Sequence, residues 1–268
     1  MSKGVMIHAF GDDVIDYYQL ALTCAKLAKK NLKLPIVCVT DKDFGKDVFD
    51  DIIMIESKTK QKKTLKTKDS QVRYNYKNDT RSLSYDLTPF EQTLVIDSDY
   101  LVFNNNLLRY FDLYGLEVAC PKAIFDIVSG QQVFNYISGT IRQEWATLIY
   151  FTKSKHAAQA FEHWKMIQKN YSYYSKLLGV YGHLRNDYAL SIASHTMNGF
   201  RYAWEYLEPI NWIPSSSNLL EIRTNGEVLI SINEKVIKLS QLNLHFMDKV
   251  SLLRPEIQKQ LEEYASTI

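Results

Sequence analysis

The segment VIDSDYLVF, residues 95–103, places two carboxylates in the middle of an apolar stretch. Asp97 and Asp99 are separated by one serine, and the residues on both sides have the composition of a buried strand. Two like charges at the end of such a strand repel each other, and a divalent cation beside them would remove the repulsion. The segment therefore predicts a strand that ends in a polar site.

Three further segments before this motif read as buried strands. They are GVMIHAF (residues 4–10), LPIVCVTD (34–41) and DIIMIE (51–56). Between the first two, apolar residues recur at helical spacing over residues 14–28, and Asp12 or Asp13 is expected to cap this helix. Strand, helix and strand at this spacing predict a parallel sheet with right-handed crossovers, which is the α/β class. Open α/β sheets bind ligands beyond the carboxyl ends of their strands, where Asp97 and Asp99 are expected.

The rest of the chain alternates predicted helices and strands. Helices are expected over residues 70–88, 104–114, 154–173, 185–197 and 254–265, and strands over residues 92–103, 117–122 and 145–151. Residues 243–249 are expected to form a short strand or a loop. Asn186 is expected to cap the helix that begins near it, and Pro255 is expected to begin the last helix. Asn225-Gly226 predicts a β-hairpin between alternating strands in the C-terminal region.

The composition is that of a globular protein with one unusual segment. Hydrophobic residues make up 46% of the 268 residues and charged residues 23%, which permits a sizeable core. The net charge is +2, but residues 58–68 contain six lysines and no acid, and without them the chain would be net acidic. No stretch reaches the roughly 18 apolar residues of a membrane span, and the N-terminus lacks the apolar region of a signal peptide. Three dispersed cysteines show neither metal nor disulfide spacing, so a cytoplasmic location is expected.

Three interpretations of the aspartate pair are open. Two carboxylates one residue apart suit a hard cation such as Mn²⁺ or Mg²⁺, which typically also binds substrate phosphates. An aspartate after an apolar strand is also the nucleophile of haloacid dehalogenase-type phosphatases. That motif usually has Thr or Val where Leu101 stands and usually opens the fold, whereas three strands precede the motif here. The pair can also be an ordinary acidic turn, but the parallel-sheet context favours a metal.

LVIDSDYLVF resembles the strand–DxD–strand segment of the GT-A glycosyltransferases, in particular the glycogenin-like family (family 8) that includes bacterial galactosyltransferases. The resemblance covers about residues 4–250, and the DxD with its flanks is its specific part. It implies a GT-A fold with a mainly parallel central sheet flanked by helices and a small C-terminal β-hairpin region. A single domain over residues 1–268 would comprise a nucleotide-binding half (1–104) and an acceptor-side half (105–268). The implied activity is sugar transfer from a UDP-sugar with Mn²⁺ or Mg²⁺ as cofactor and with retention of configuration.

The resemblance also implies roles for individual residues. Asp97 and Asp99 match the family's metal-binding aspartates, and His245 in NLHFMDK matches the histidine that supplies a third ligand. Arg81 in NDTRSLSYD matches a basic residue on the helix before the DxD, which contacts the donor. Asp187 in LRNDYALSIA matches an acidic residue at a helix start, which contacts the donor sugar. Asp187 and Arg81 are therefore the candidate catalytic residues.

Further donor contacts are expected at the strand ends and beside these residues. The candidates are His8, Ala9, Phe10, Thr40, Asp41, Ser98 and Asn186. After the histidine the family usually has a glycine and a Lys-Pro-Trp-like stretch, whereas this chain has Asp248 and Lys249, so Lys249 is the candidate for binding the phosphates. The family's asparagine–small residue–glycine segment before the mid-chain strand is replaced by RQEWATLIYF, residues 142–151.

The lysine run leaves the acceptor open. Its lysines are Lys58, Lys60, Lys62, Lys63, Lys66 and Lys68. Clustered lysines bind nucleic-acid backbones, so an enzyme of bacteriophage type that modifies a hydroxymethylated DNA base in the host cytoplasm is one expectation. The run can also be a solvated loop or a lid over the donor, and the acceptor can be a glycan or a protein. A non-catalytic nucleic-acid-binding protein and a DxD phosphatase are the alternatives to a glycosyltransferase.

Overall fold

The computed structural model describes residues 1–12, 14–57, 62–66, 71–75, 77, 79–199 and 205–267, and for residues 62–66, 71–75 and 205–206 it describes the backbone alone. The strands in these ranges are β1 (Lys3–Ala9), β2 (Ile36–Thr40), β3 (Asp51–Met54), β4 (Lys62–Lys66), β5 (Gln71–Asn75), β6 (Gln92–Ile96), β7 (Tyr100–Leu101), β8 (Val118–Pro121), β9 (Ile124–Asp126), β10 (Gln131–Val133), β11 (Leu148–Thr152), β12 (Glu205–Leu207), β13 (Ile210–Ile213), β14 (Asn218–Ile222), β15 (Glu227–Ile232), β16 (Lys235–Ser240) and β17 (Leu244–Phe246). The α-helices are α1 (Tyr17–Leu32), α2 (Ser84–Leu87), α3 (Lys155–Lys169), α4 (Tyr171–Leu177), α5 (Asn186–Met197), α6 (Lys249–Leu252) and α7 (Pro255–Ser266), and 3₁₀ helices lie at Thr80–Leu83 and Asn106–Asp112. Within these ranges, no helix has both the length and the apolar character needed to cross a bilayer.

Seven strands form the central sheet, in the order β12-β8-β11-β6-β1-β2-β3. The strands β6, β1, β2 and β3 are mutually parallel, whereas β11 is antiparallel to both β6 and β8. The predicted α/β class with a mainly parallel central sheet is therefore confirmed. The strand order reverses at β1, because the chain moves outward through β2 to β3 and then returns to the other side of β1 as β6.

Apolar side chains fill both faces of the central sheet. Val5 and Ile7 of β1 lie in the core cluster that contains Ala21 of α1, whereas Met6 lies in the cluster that contains Phe161 of α3. Because successive side chains of a strand point to opposite faces, a continuous apolar run buries both faces at once. This is why the short, uniformly apolar segments of the sequence predicted β1, β2 and β6 correctly, whereas β12 of the same sheet was not predicted.

A third core cluster joins the C-terminal region to α1. Leu20 of α1 packs with Ile230 of β15 and Leu261 of α7. The predicted turn joins β14 to β15, and Gly226 there has a φ of 80°, which glycine adopts without the strain that other residues meet. The small C-terminal β region and the last helix, with Pro255 in its first turn, are therefore confirmed.

The helix predicted over residues 70–88 is wrong over most of its length. Residues 71–75 form β5, which pairs antiparallel with β4 inside the lysine run. Helical structure is limited to Thr80–Leu83 and Ser84–Leu87. The segment QVRYN alternates apolar and polar residues, and this period of two favours a strand over a helix.

The strand predicted over residues 92–103 is divided in two. β6 ends at Ile96, a turn carries the two aspartates, and β7 follows in a second sheet of order β10-β9-β13-β17-β7. The apolar residues before and after the aspartates therefore belong to different sheets. This division places the motif at the junction of the two sheets.

Both predicted helix caps are wrong. The N-cap of α1 is Asp16, whose side chain accepts the backbone N–H three residues further on. Asp12 instead accepts the N–H groups of the second and third residues after it, in a turn before the helix, and Asp13 lies outside the described residues. Asn186 is the first residue of α5, and Arg185 occupies the N-cap position without a side-chain cap.

Candidate functional site

Three polar segments meet at the carboxyl edge of the central sheet. β1, β2 and β6 are neighbouring parallel strands, so the residues that follow them lie at one edge. These residues are Phe10 after β1, Asp41 after β2 and Asp97 after β6. The strand order reverses between β1 and β6 at this edge, which is the position where open α/β sheets form a ligand-binding crevice. The motif therefore lies beyond the end of its strand, as predicted.

Backbone hydrogen bonds hold the motif in a buried turn. Asp97 N donates to Thr147 O at 3.0 Å, and Tyr100 N donates to Asp97 O at 3.0 Å. Asp99 is 2% exposed and Ser98 is 3% exposed. An ordinary acidic turn keeps its carboxylates in solvent, because burying a charge without a partner is costly. The burial of Asp99 therefore argues against that interpretation.

Strand pairing brings His245 to the motif. β17 pairs antiparallel with β7 so that His245 is opposite Tyr100, and Phe246 N donates to Asp99 O at 3.2 Å. His245 Nε2 then lies 3.4 Å from Asp99 Oδ1. The register of this short strand pair makes a histidine from the end of the chain a neighbour of both aspartates.

The three residues fit a divalent cation. Asp97, Asp99 and His245 each offer a ligand atom, and these atoms lie within 4.8 Å of one another. The two carboxylates suit Mn²⁺ or Mg²⁺, and the imidazole favours the transition metal Mn²⁺ over Mg²⁺. His245 is 6% exposed, and its Nδ1 has no hydrogen-bond partner among the described residues. Since buried polar groups are normally hydrogen-bonded, this imidazole is short of one partner, as expected for a metal ligand.

Two buried cations neutralise the motif. Arg81 forms an ion pair with Asp97, and Lys249 forms one with Asp99. Burial alone would raise the pKa of Asp99, but the charges of Lys249 and His245 and their hydrogen bonds outweigh it and hold this pKa well below its ordinary value. Asp99 is therefore ionised at neutral pH, as a metal ligand must be.

Arg81 lies in the 3₁₀ helix Thr80–Leu83 rather than on a longer amphipathic helix. Its guanidinium is buried and connects two parts of the site. Nη1 donates to Ala146 O at 2.9 Å, while Nη2 pairs with Asp97. A planar guanidinium can bind two partners in fixed directions, so Arg81 joins the DxD turn to the segment before β11.

The residues expected to receive the nucleoside, at the end of β1 and directly after it, are buried. His8 Nδ1 lies 2.9 Å from Thr80 Oγ1, and its Nε2 lies 2.9 Å from Ser84 Oγ. Burial, together with the charge of Arg81, lowers the pKa of His8 to about 3, so this imidazole is neutral. Ala9 is 1% exposed and Phe10 is 5% exposed. His8 thus packs β1 against the segment that carries Arg81, and the nucleoside contacts of these three residues stay a prediction.

Asp187 bonds to the same segment as Arg81. It lies in the first turn of α5, and its Oδ1 accepts from Ala146 N at 2.9 Å while Oδ2 accepts from Arg185 Nη2 at 3.0 Å. Asn186 Oδ1 accepts from a glutamine side chain of α3 at 3.0 Å. Both candidate catalytic residues therefore bond to Ala146. Arg81 donates to its carbonyl, and Asp187 accepts from its N–H.

Asp41, after β2, has several hydrogen-bond donors. It accepts from Gly11 N at 3.2 Å and from Tyr18 Oη at 2.8 Å, and it pairs with Lys77 at 3.1 Å. Burial would raise the pKa of Asp41, but these donors outweigh it and lower the pKa. Thr40 is fully buried beside it. The contacts of both residues with a base or ribose stay a prediction.

The lysine run contributes no described side chain to this site. Lys58, Lys60 and Lys68 lie outside the described residues, and Lys62, Lys63 and Lys66 lie in β4, of which the backbone alone is described. Its proposed contact with an acceptor therefore rests on sequence.

The sequence pattern did not single out a buried carboxylate next to the site. Glu144 is 1% exposed and lies two residues before Ala146. Its Oε1 accepts from Ser194 Oγ at 2.7 Å, and its Oε2 accepts from Cys120 Sγ at 3.2 Å. Burial raises the pKa of Glu144 to about 7, although the charge of Lys122 and these hydrogen bonds act in the opposite direction. Its place directly before the apolar segment WATLIYF (145–151) is a weak signal, because that position does not mark a side chain as buried.

The raised pKa of Glu144 predicts how stability depends on pH. In the unfolded chain this carboxyl titrates near 4.5, whereas the folded protein holds the proton up to about pH 7. The resulting stabilisation is complete below the unfolded pKa and is lost as the pH rises through the folded pKa, and a shift of this size corresponds to about 3 kcal/mol. Relative to wild type, Glu144→Gln is therefore expected to gain up to about 3 kcal/mol in free energy of unfolding as the pH rises from about 4.5 to about 7, and the difference is expected to stay constant above that pH. Urea denaturation at each pH measures this, and parallel pH profiles for the two proteins would contradict it.

The sequence matches no protein-family model and no curated protein. Solved structures that overlap with the chain include three glycosyltransferases. GlyE of Streptococcus pneumoniae TIGR4 is 15% identical, with 78% of this chain and 45% of that chain covered and a TM-score of 0.45. Mouse xyloside xylosyltransferase 1 is 9% identical, with 78% and 85% covered and a TM-score of 0.46. The galactosyltransferase LgtC, in complex with donor and acceptor sugar analogs, is 12% identical, with 80% and 76% covered and a TM-score of 0.48.

The chain spans less than half the length of GlyE, of which 45% is covered. With TM-scores of 0.45 to 0.48, all three overlaps are partial. The functional assignment therefore depends on the chemistry of the site.

Proposed function

We propose that this chain is a metal-dependent glycosyltransferase that takes its sugar from a UDP-sugar. The observation that carries the proposal is the convergence of Asp97, Asp99 and His245 at the carboxyl edge of the sheet, with Arg81 and Lys249 paired to the two carboxylates. A donor set for a divalent cation next to two buried positive side chains suits a diphosphate bound through that cation. The resemblance of LVIDSDYLVF to the GT-A glycosyltransferases supports the same activity.

The charges of the site suit the chemistry of this transfer. The bond between the sugar and the diphosphate breaks, a bond to the acceptor oxygen forms, and negative charge grows on the departing diphosphate. Asp97, Asp99 and His245 would hold a divalent cation, which stabilises that charge when bound. Arg81 and Lys249 add positive charge from positions that are already shielded from water, where electrostatic stabilisation is stronger than in solvent.

We assign the sugar end of the donor to Asp187. Its carboxylate bonds to the N–H of Ala146, and Arg81 bonds to the carbonyl of Ala146. Ala146 therefore sets the distance between Arg81, which is proposed to bind the phosphates, and Asp187, which is proposed to bind the sugar hydroxyls. We also propose retention of configuration at the transferred sugar. This part of the proposal has no support besides the family resemblance.

For the acceptor we propose DNA that carries a hydroxymethylated base. The lysine run supports this part, because six lysines and no acid within residues 58–68 suit a phosphate backbone. Residues 62–66 of the run form β4, which pairs with β5, and β5 precedes the 3₁₀ helix Thr80–Leu83 that carries Arg81. A glycan or a protein acceptor is the competing outcome.

Turnover of a panel of UDP-sugars tests the proposal. With Mn²⁺ and no acceptor, the wild-type protein is expected to release UDP slowly from at least one UDP-sugar, because water can replace the acceptor. DNA that contains hydroxymethylcytosine is expected to accelerate the release and to gain the mass of the sugar. Phosphate release from a simple phosphate ester without UDP-sugar turnover would instead support the phosphatase. Salt-sensitive DNA binding that survives Asp97→Asn, without turnover, would support the nucleic-acid-binding protein.

A further inference from the structure

Residues 144–147 connect three parts of the proposed site through their backbone. Ala146 O accepts from Arg81 Nη1 at 2.9 Å, and Ala146 N donates to Asp187 Oδ1 at 2.9 Å. The carbonyl of the next residue accepts from Asp97 N at 3.0 Å. A displacement of this segment would therefore move its contacts with all three proposed site residues together.

Glu144 anchors the beginning of this segment. Its carboxylate accepts from Ser194 Oγ at 2.7 Å and from Cys120 Sγ at 3.2 Å, and its backbone N donates to Ser191 Oγ at 2.7 Å. Ser191 and Ser194 are one turn apart on α5, and Cys120 belongs to β8. Side chain and backbone of one residue thus fix the segment to a helix and to the central sheet.

The Glu144 carboxylate is buried, which is energetically unfavourable for an ionised group. Glu144 is 1% exposed, and an ionised group in such a place costs free energy unless charges and donors compensate it. Lys122 is 4% exposed, and its charge favours the ionised form of Glu144. At this depth Glu144 does not reach a substrate, so any effect on the reaction must pass through the residues it holds.

We propose that Glu144 is a positioning residue of the donor site, which fixes the Ala146 peptide and through it Arg81 and Asp187. Its effect on catalysis rests on the proposed function, whereas its anchoring of the segment does not. The proposal thus extends the site to a residue that has no contact with donor or metal.

Several ionisable groups lie on the elements around Glu144. Cys120 and Lys122 face it from β8 and the residue after it, Arg142 from its own segment, and His195 and Asp187 belong to the adjoining helix α5. Burial raises the pKa of the Cys120 thiol well above its ordinary value, and burial lowers the pKa of His195. Both are therefore neutral near pH 7, where Glu144 changes charge.

Hydrogen exchange tests the anchoring directly. In Glu144→Ala, amide exchange over residues 143–148 is expected to accelerate by at least about tenfold, while α7 exchanges as in wild type, because the loss is local. Glu117→Gln is the matched control, since it removes an exposed carboxylate directly before β8. Exchange over residues 143–148 that is unchanged in Glu144→Ala overturns the proposal, whatever the protein binds.

Kinetics test the effect on the site. UDP-sugar hydrolysis by Glu144→Ala is expected to fall about 100-fold in kcat, because a displacement of about 1 Å in a positioning group can cost that much. Mn²⁺ affinity is expected to fall much less than kcat, because all three proposed ligands are retained and, of these, Asp97 alone is described as bonded to the segment. A kcat within about twofold of the Glu117→Gln control overturns the positioning role.

A pH profile separates positioning from mere support of the fold. The wild-type kcat is expected to show an inflection near pH 7, the pKa of Glu144, and Glu144→Gln is expected to lack it. An inflection that persists in Glu144→Gln overturns the proposal even if Glu144→Ala fails to fold. If wild type turns over no UDP-sugar, the proposed function fails, while the exchange experiment on Glu144→Ala still decides the anchoring.

Discussion

Replacing Asp99 with asparagine is expected to lower the affinity for Mn²⁺ by at least about 100-fold and to destabilise the fold by about 3–5 kcal/mol. Asp99 is 2% exposed and pairs with Lys249, which is 8% exposed. The substitution removes one of three proposed ligands. It also leaves the Lys249 ammonium inside the protein without its opposite charge. Electron paramagnetic resonance of free Mn²⁺ measures the affinity, and urea denaturation measures the free energy of unfolding.

The double variant Asp99→Asn/Lys249→Met separates these two effects. It removes both buried charges, and replacement of a buried ion pair by neutral or apolar side chains is often close to neutral in stability. Most of the lost stability is therefore expected to return, while the affinity for Mn²⁺ stays low. Wild-type affinity for Mn²⁺ in either variant would contradict the assignment of Asp99 as a ligand.

Replacing Arg81 with methionine is expected to lower UDP-sugar hydrolysis by about 1000-fold and to destabilise the fold by about 3 kcal/mol. The Arg81 side chain is 5% exposed and binds both Asp97 and the carbonyl of Ala146. Methionine fills a similar volume but leaves both partners without their donor. Arg81→Lys is also expected to lose about 100-fold in hydrolysis, because a single ammonium does not reproduce the planar fork that spans the two partners.

A surface ion pair gives the matched control for Arg81. Arg109 also pairs with a carboxylate, that of Glu208, but the two side chains are 44% and 63% exposed. Such exposed pairs contribute at most about 1 kcal/mol, so Arg109→Met is expected to change stability little and hydrolysis not at all. A stability loss in Arg81→Met no larger than that in Arg109→Met would show that the buried pair has no special role.

The position of the DxD motif was predictable because it depends on local pattern. Uniformly apolar segments identify β1, β2 and β6, and parallel neighbours bring the residues that follow them to one edge. Asp97 and Asp99 were therefore placed correctly from periodicity and spacing. The position of His245 was not predictable from local pattern, because the register of β17 on β7 brings it to the motif. The family resemblance pointed to this residue.

The parts of the site that the sequence did not reveal depend on tertiary contacts. The bonds of Glu144 join residues that are 24 and 50 positions apart, and no local pattern marks a glutamate as buried. Arg81 was expected on a longer helix, but the 3₁₀ helix Thr80–Leu83 carries it, and β5 before it pairs with β4. The bonds of Glu144 depend on contacts between distant segments, whereas the alternation of QVRYN (71–75) is a local signal that already favoured a strand.

The most direct test of the central claim is a calorimetric titration of UDP into the protein with and without Mn²⁺. Wild type is expected to bind UDP when Mn²⁺ is present and to bind it far more weakly when Mn²⁺ is omitted. The Asp99→Asn/Lys249→Met variant is expected to bind weakly in both cases, because its cation site is incomplete. No binding by wild type with Mn²⁺, or equal binding in the double variant, would contradict a metal–nucleotide site built from Asp97, Asp99 and His245.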